Sequence, residues 1–111
     1  MTNIISFVSI KGGVGKTTLA LETAAALANQ FEKRVLLVDA NFSAPNIGLY
    51  LDLTNEKTLH HALKGELLQN AIYESYGIDI VPASFHYDGK KIDYFRLKNI
   101  LNKYKTRYDY I

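Results

Sequence analysis

Between a short apolar run, Ile4–Ile10, and a leucine- and alanine-rich stretch, Thr17–Asn29, the chain places Lys11-Gly12-Gly13-Val14-Gly15-Lys16. Ile4–Ile10 is β-branched and too short for a helix, which predicts a first strand covered on both faces, as in parallel sheets. Thr17–Asn29 contains no Gly or Pro and repeats Leu21, Ala24, Ala25 and Ala28 at helical spacing. That pattern predicts a helix whose small side chains lie close against a sheet. A glycine loop between such elements can turn its N–H groups on phosphate oxygens, since glycine tolerates the φ values required and leaves no Cβ in the way. The helix adds its own first amides and partial positive charge. Lys16 then supplies a point charge for β and γ phosphates, and Thr17 a hydroxyl for Mg²⁺.

The rest of the chain continues the alternation. VLLVDA, following Lys33-Arg34, reads as a second buried strand ending at Asp39, and Asn41–Gly48 as a loop around Pro45. Thr58–Lys64 predicts a short helix capped by Thr58 and stopped at Gly65, and Glu66–Ser75 another helix, ended by Gly77. Ile78–Val81 predicts a third strand closed by Pro82. A final helix is expected from Lys91 to Arg107, with Ile92, Phe95, Ile100, Leu101 and Tyr104 inward, and YDYI at the end begins a fourth strand. Strands alternating with helices predict an α/β fold with a parallel, doubly wound sheet, which binds ligands at the carboxyl ends of its strands.

At 111 residues, with no internal repeat and no Pro/Gly/Ser linker, residues 1–111 read as one unit or part of one. No cysteine is present, which excludes disulfides and thiolate metal sites. MTNIISFVSI lacks a basic leader, and its apolar run is far shorter than the ~20 residues of a membrane span, so a cytoplasmic location is expected.

KGGVGKTT resembles the deviant Walker A motif of the MinD/ParA family of P-loop ATPases, with Ile10 where the ordinary motif has glycine. The resemblance implies a P-loop NTPase fold, ATP and Mg²⁺ as cofactors, and a phosphate cradle of Lys11, Gly12, Gly13, Val14, Gly15, Lys16, Thr17 and Thr18. It makes Lys11 the signature lysine, reaching the partner's phosphates across an ATP-sandwiched dimer, and Thr17 the metal-side residue. Asp39 falls at the switch I aspartate, where it orients the attacking water or touches the metal shell. Relatives often carry D-x-D, and this chain has Asp39-Ala40-Asn41, which leaves the role of position 41 open. Asn46-Ile47-Gly48-Leu49 resembles a segment near the dimer interface. Lys11, Lys16 and Asp39 are therefore the expected catalytic residues of an ATPase that dimerises on ATP and positions cell-division or DNA-segregation machinery. A homodimer or higher homo-oligomer and a protein activator are the implied partners, with DNA or membrane contact as a further property of the family.

Two other classes stay open. One is a non-catalytic nucleotide- or anion-binding module that acts by oligomerising. The other is nonspecific DNA binding on the basic helix 90–107, where Lys90, Lys91, Arg96, Lys98, Lys103, Lys105 and Arg107 interleave with Tyr94, Phe95, Tyr104 and Tyr108. With the aromatics inward and charges outward, that helix also reads as an ordinary solvated face. His60-His61 suggest a metal only superficially, because adjacent helical residues point about a hundred degrees apart. Glu74, Asp79 and Asp88 show no acid–base pairing.

The resemblance spans nearly the whole chain but about the first half of a family domain. It places the Walker B aspartate a few residues beyond Ile111, and Asp109, which precedes that strand, is not it. The strand beginning at YDYI is expected beside the glycine-loop strand, inside the sheet, so that stopping it at Ile111 favours shared sheet edges, a strand-swapped assembly or a truncation product. ATP turnover by these 111 residues alone is therefore an open question.

Overall fold

The computed structural model describes residues 2–7, 15–40, 47, 56–84 and 93–111. Gly15, at φ +80°, starts the first helix, α1 (Lys16–Gln30). Ala20 and Ala24, four residues apart, are its buried positions, and their small side chains set α1 close to the sheet. After Phe31 the chain turns through Glu32, at φ +54°, into Val35 and strand β1 (Leu36–Val38).

The third strand of the prediction is found at its expected bounds, Ile78–Val81, and runs parallel to β1 in the register Leu36↔Asp79, Leu37↔Ile80, Val38↔Val81. The residues before it differ from expectation. In place of a helix over Glu66–Ser75 there is a 3₁₀ turn, Leu68–Ala71, followed by a strand, β2 (Tyr73–Ser75). β2 pairs antiparallel with the strand at Ile78–Val81, here β3, around Tyr76-Gly77. Both turn residues have positive φ, +54° and +77°, the twist of a type I′ hairpin. A glycine that ends a helix and a glycine at the second corner of this turn need the same backbone region, so Gly77 punctuates the sequence identically in both cases.

The amino- and carboxy-terminal segments extend the sheet beyond β1. Asn3 and Val35 both form parallel bridges to Tyr110. Ile111 N–H donates to Asn3 C=O at 2.9 Å, Ile5 N–H to Ile111 C=O at 2.8 Å, and Leu36 N–H to Tyr110 C=O at 3.0 Å. The YDYI segment thus lies inside the sheet, between the first extended segment and β1. Residues 2–7 carry the bridge at Asn3, and Val8–Ile10 of the expected first strand lie outside the described residues.

Alternating β residues feed two cores. Leu37 and Ile80 join Val35, Ile78 and Ala24 under α1. Leu36 and Val81 face the other way and meet Leu59, Leu68 and Tyr108. On that second face lie α2 (Leu59–Leu63), whose N-cap is Thr58, and α3 (Tyr94–Tyr104), continued by a 3₁₀ turn at Lys105–Arg107. Helices therefore cover both faces of a sheet that is parallel except at its β2 edge, the doubly wound arrangement.

α3 starts later than expected because Asp93 caps it: its Oδ1 accepts the Arg96 N–H at 3.0 Å. Leu97, Ile100 and Tyr104 pack on the core, whereas Phe95, expected inward, is 74% exposed. Lys91 and Ile92 lie outside the described residues.

Candidate functional site

The carboxyl end of β1 and the amino end of α1 open on one cavity of about 530 Å³. Lys16 and Thr17 line it from the helix, Asp39 and Ala40 from the strand end, and Ser6 and Phe7 from the first extended segment. Lys16 and Thr17 are half-buried, and Thr18, exposed on the first turn, is not among the cavity's lining residues. Lys11, Gly12, Gly13 and Val14 lie outside the described residues, as does Asn41.

Gly15 reaches φ +80°, a region that side-chain-bearing residues rarely adopt, and a Cβ built there would meet no atom within 4 Å. Its glycine requirement is therefore conformational, and the space over it is open. Gly15 C=O accepts the Leu19 N–H at 2.9 Å as the first helical bond. The amides of Lys16, Thr17 and Thr18 precede that bond and have no acceptor within the helix. Among the described residues no side chain caps α1, and its first turn holds no acid, so the positive end of the helix dipole is left without a counter-charge in its own first turn. This donor set suits a phosphate group, and Lys16 adds a cation to it.

Asp39 is 5% exposed. Its N–H donates to Val81 C=O at 2.9 Å, which continues the β1–β3 ladder by one bond, and its Oδ2 accepts the Ile47 N–H at 3.3 Å. Ile47, the one described residue of Asn46–Leu49, buries its side chain in the α1-side core. Ile47 is thereby tied to the carboxylate at the strand end. Sequence reading missed this partner, and an amide eight residues away leaves no signal in composition or period.

Other features sort differently. His60 and His61 are half-buried, and each ring accepts a backbone amide: His60 Nδ1 from Ser84 at 3.0 Å, His61 Nδ1 from Thr58 at 3.1 Å. Among the described residues no group of three His, Cys, Asp or Glu side chains is arranged to hold a metal ion, and no helix is long and apolar enough to cross a membrane. Along α3 and the turn after it, Arg96, Lys98, Lys103, Lys105 and Arg107 are exposed. Tyr94 and Phe95 share that exposure at 65% and 74%, so the expected separation of inward aromatics from outward charges holds for Tyr104 and Tyr108 but not for these two.

A family described as AAA domain matches residues 2–111. An uncharacterized ATP-binding protein of Methanocaldococcus jannaschii is 37% identical, over 97% of this chain and 42% of its own length. A ParA family protein of Chlamydia trachomatis is 36% identical over 93% of this chain and 46% of its own. The solved structure of the septum site-determining protein MinD from Pyrococcus horikoshii, complexed with Mg-ADP, superposes with a TM-score of 0.88 at 35% identity, over all of this chain and 47% of that one. The chain thus spans less than half the length of each of these relatives.

Proposed function

The chain belongs to the AAA domain family and is of MinD/ParA type, and on that premise we propose that it is the ATP- and Mg²⁺-binding part of an ATPase that dimerises on ATP and positions cell-division or DNA-segregation machinery. The observation that carries the reading is the open amino end of α1, with Gly15 in the left-handed region, no acid in the first turn, and Lys16, Thr17 and Asp39 on one cavity. Its support from relatives is the Mg-ADP in the MinD structure and the ATP-binding description of the M. jannaschii protein.

In this reading the amides from Gly12 to Thr18 cradle the phosphates, Lys16 neutralises charge on the β and γ groups, and the Thr17 hydroxyl ligates the metal. Lys11 acts on the nucleotide of a second copy, and Asp39 orients a water or a ligand of the metal. When bound, the nucleotide–metal pair supplies the phosphoryl group and most of the charge neutralisation. The chain's own contribution is positioning, by the strand end at Asp39 and the helix end at Lys16 and Thr17, which line one cavity. Homo-oligomer formation, a protein activator and a cytoplasmic location complete the proposal.

Calorimetry with ATP and Mg²⁺ tests it. Binding by the folded protein is expected, and Lys16→Ala is expected to weaken it by more than tenfold, since a charge-assisted contact to phosphate is lost. A folded wild-type protein that takes up no nucleotide at millimolar concentration overturns the reading. ATP affinity without turnover favours the oligomerising, non-catalytic module. Exposed Tyr94 and Phe95 beside Arg96 and Lys98 support a second reading, contact with a nucleic-acid backbone. Affinity for duplex DNA that falls steeply with salt is its signature.

A further inference from the structure

Asp39 stands one residue beyond β1, on the same face of the sheet as Leu37, which packs under α1. That parity turns its side chain toward the cavity that Lys16 and Thr17 also line. A carboxylate only 5% exposed needs donors in place of water, and one is the Ile47 N–H, 3.3 Å from Oδ2. Asp39 also interacts beyond its contacts with Val81 and Ile47, so Ile47 supplies one restraint among others.

What fixes that amide is the side chain of the same residue. Ile47 is 5% exposed and belongs to the core formed by Ala24, Val35, Ile78 and Ile80, with Leu21 and Leu37 packed against it. It also lines the cavity beside Asp39. Its N–H, at 3.3 Å, stands farther from the carboxylate than the about 2.7–2.9 Å usual for a charge-assisted bond. Burying a whole isoleucine side chain stabilises more than one stretched bond does, so packing decides where the amide sits and the carboxylate follows it. One residue thus joins the α1-side core to the end of β1 through two kinds of contact.

We propose that Ile47 is a positioning residue for Asp39. Its seat in the core fixes a donor for Oδ2 and so helps to hold the carboxylate at the space that Lys16 and Thr17 share. Cutting the side chain back frees the amide to drift. The carboxylate then loses this restraint, while Lys16, Thr17 and the amides at the start of α1 keep theirs. The consequence for Mg²⁺ rests on the ATP- and Mg²⁺-binding reading, whereas the seat of Ile47 does not.

Calorimetry of ATP binding by the whole chain, with and without Mg²⁺, tests the proposal on Ile47→Ala and Ile47→Val. In Ile47→Ala the affinity without Mg²⁺ is expected to match the wild type, and the gain in affinity on adding Mg²⁺ to fall about fivefold, the equivalent of one net hydrogen bond. Ile47→Val keeps the β-branch, loses one methyl group and is expected to restore the gain. A folded Ile47→Ala protein with the wild-type gain, an equal loss with and without Mg²⁺, or Ile47→Val as impaired as Ile47→Ala each overturns the proposal. Should Ile47→Ala fail to fold, Ile47→Leu, which keeps the volume and changes the shape, takes its place: a loss confined to the Mg²⁺-dependent gain supports the proposal, and its absence overturns it. A wild-type protein that binds no ATP overturns the ATP reading, and the ¹³Cγ shift of Asp39 then decides the role of Ile47. A shift that moves in the Ile47 variant supports the restraint, and one that stays at the wild-type value overturns it.

Discussion

The phenol of Tyr108 donates to Asp79 Oδ2 at 2.7 Å, joining the carboxy-terminal segment to β3 across the intervening β1. Tyr108 is 7% exposed, and burial first, then the bond to Asp79, raise its pKa above the ordinary ~10. The folded state thus holds the neutral phenol. Its contribution is complete below the unfolded pKa of ~10 and is lost as pH rises from there through the higher folded value. Urea midpoints are expected to be level near pH 8 and to fall above pH ~10. Tyr108→Phe is expected to cost about 1–2 kcal/mol at neutral pH, because Asp79 loses a donor, and to flatten the alkaline limb. An unchanged alkaline limb in the variant removes Tyr108 as its source.

Acid acts at the same segment through a different residue. Asp109 accepts the Arg34 N–H at 2.8 Å and pairs with Arg34 Nη2 at 3.1 Å. The Arg34 side chain, then its backbone amide, lower the Asp109 pKa to about 2. The unfolded value is ~3.9, so this contribution is present above pH ~3.9 and is lost as pH falls through the folded value. Asp109→Asn is expected to narrow the difference in stability between pH 5 and pH 2, read from thermal midpoints at each pH. Because both side chains are substantially exposed, the side-chain part of the effect is expected to weaken in high salt.

The hairpin turn is locked to the end of α1. Asn29 Nδ2 donates to Tyr76 C=O at 2.7 Å and to Ala25 C=O at 2.8 Å, and a Cβ on Gly77 would stand 2.7 Å from Asn29 Oδ1. Gly77→Ala meets both that contact and a φ of +77°, and is expected to destabilise by about 1–3 kcal/mol. Asn29→Ala removes the obstacle and the two bonds and is expected to cost about 1 kcal/mol. The double variant is expected to be less damaging than the sum, since Gly77→Ala loses its steric partner. Strict additivity in denaturant melts contradicts this coupling.

What could be read in the sequence was whatever is encoded locally. Lys16 and Thr17 are placed by a helix start that Gly15 dictates, Thr58 caps α2 as its residue type suggests, and Pro82 closes β3. Asp39 was legible because it ends a buried strand. β2 was not, because Gly77 serves equally as a helix end or a hairpin corner, and only pairing with β3 decides between them. The start of α3 was read before Asp93, which caps the helix; Ile100 and Tyr104 face the core as expected, whereas Phe95 is exposed and Leu97, which the pattern did not assign, packs inward. The contact of Asp39 with Ile47 and those of the two histidines depend on where separate segments meet, which no local pattern carries.

Asp39 offers a way to separate architecture from chemistry at the candidate site. Its Oδ2 accepts the Ile47 N–H at 3.3 Å in a buried setting. Asp39→Ala leaves that amide without its side-chain acceptor and is expected to lower stability by about 1–3 kcal/mol. Asp39→Asn retains an acceptor oxygen at the same position while removing the negative charge, so its thermal midpoint is expected to stay close to that of the wild type. If the carboxylate serves the metal or the attacking water, the asparagine variant still loses Mg²⁺ dependence in nucleotide binding, or turnover where turnover occurs, despite its stability. A variant that is both as stable and as Mg²⁺-dependent as the wild type confines Asp39 to a structural role, its contact with Ile47 included, and leaves Lys16 and Thr17 as the site's described functional side chains.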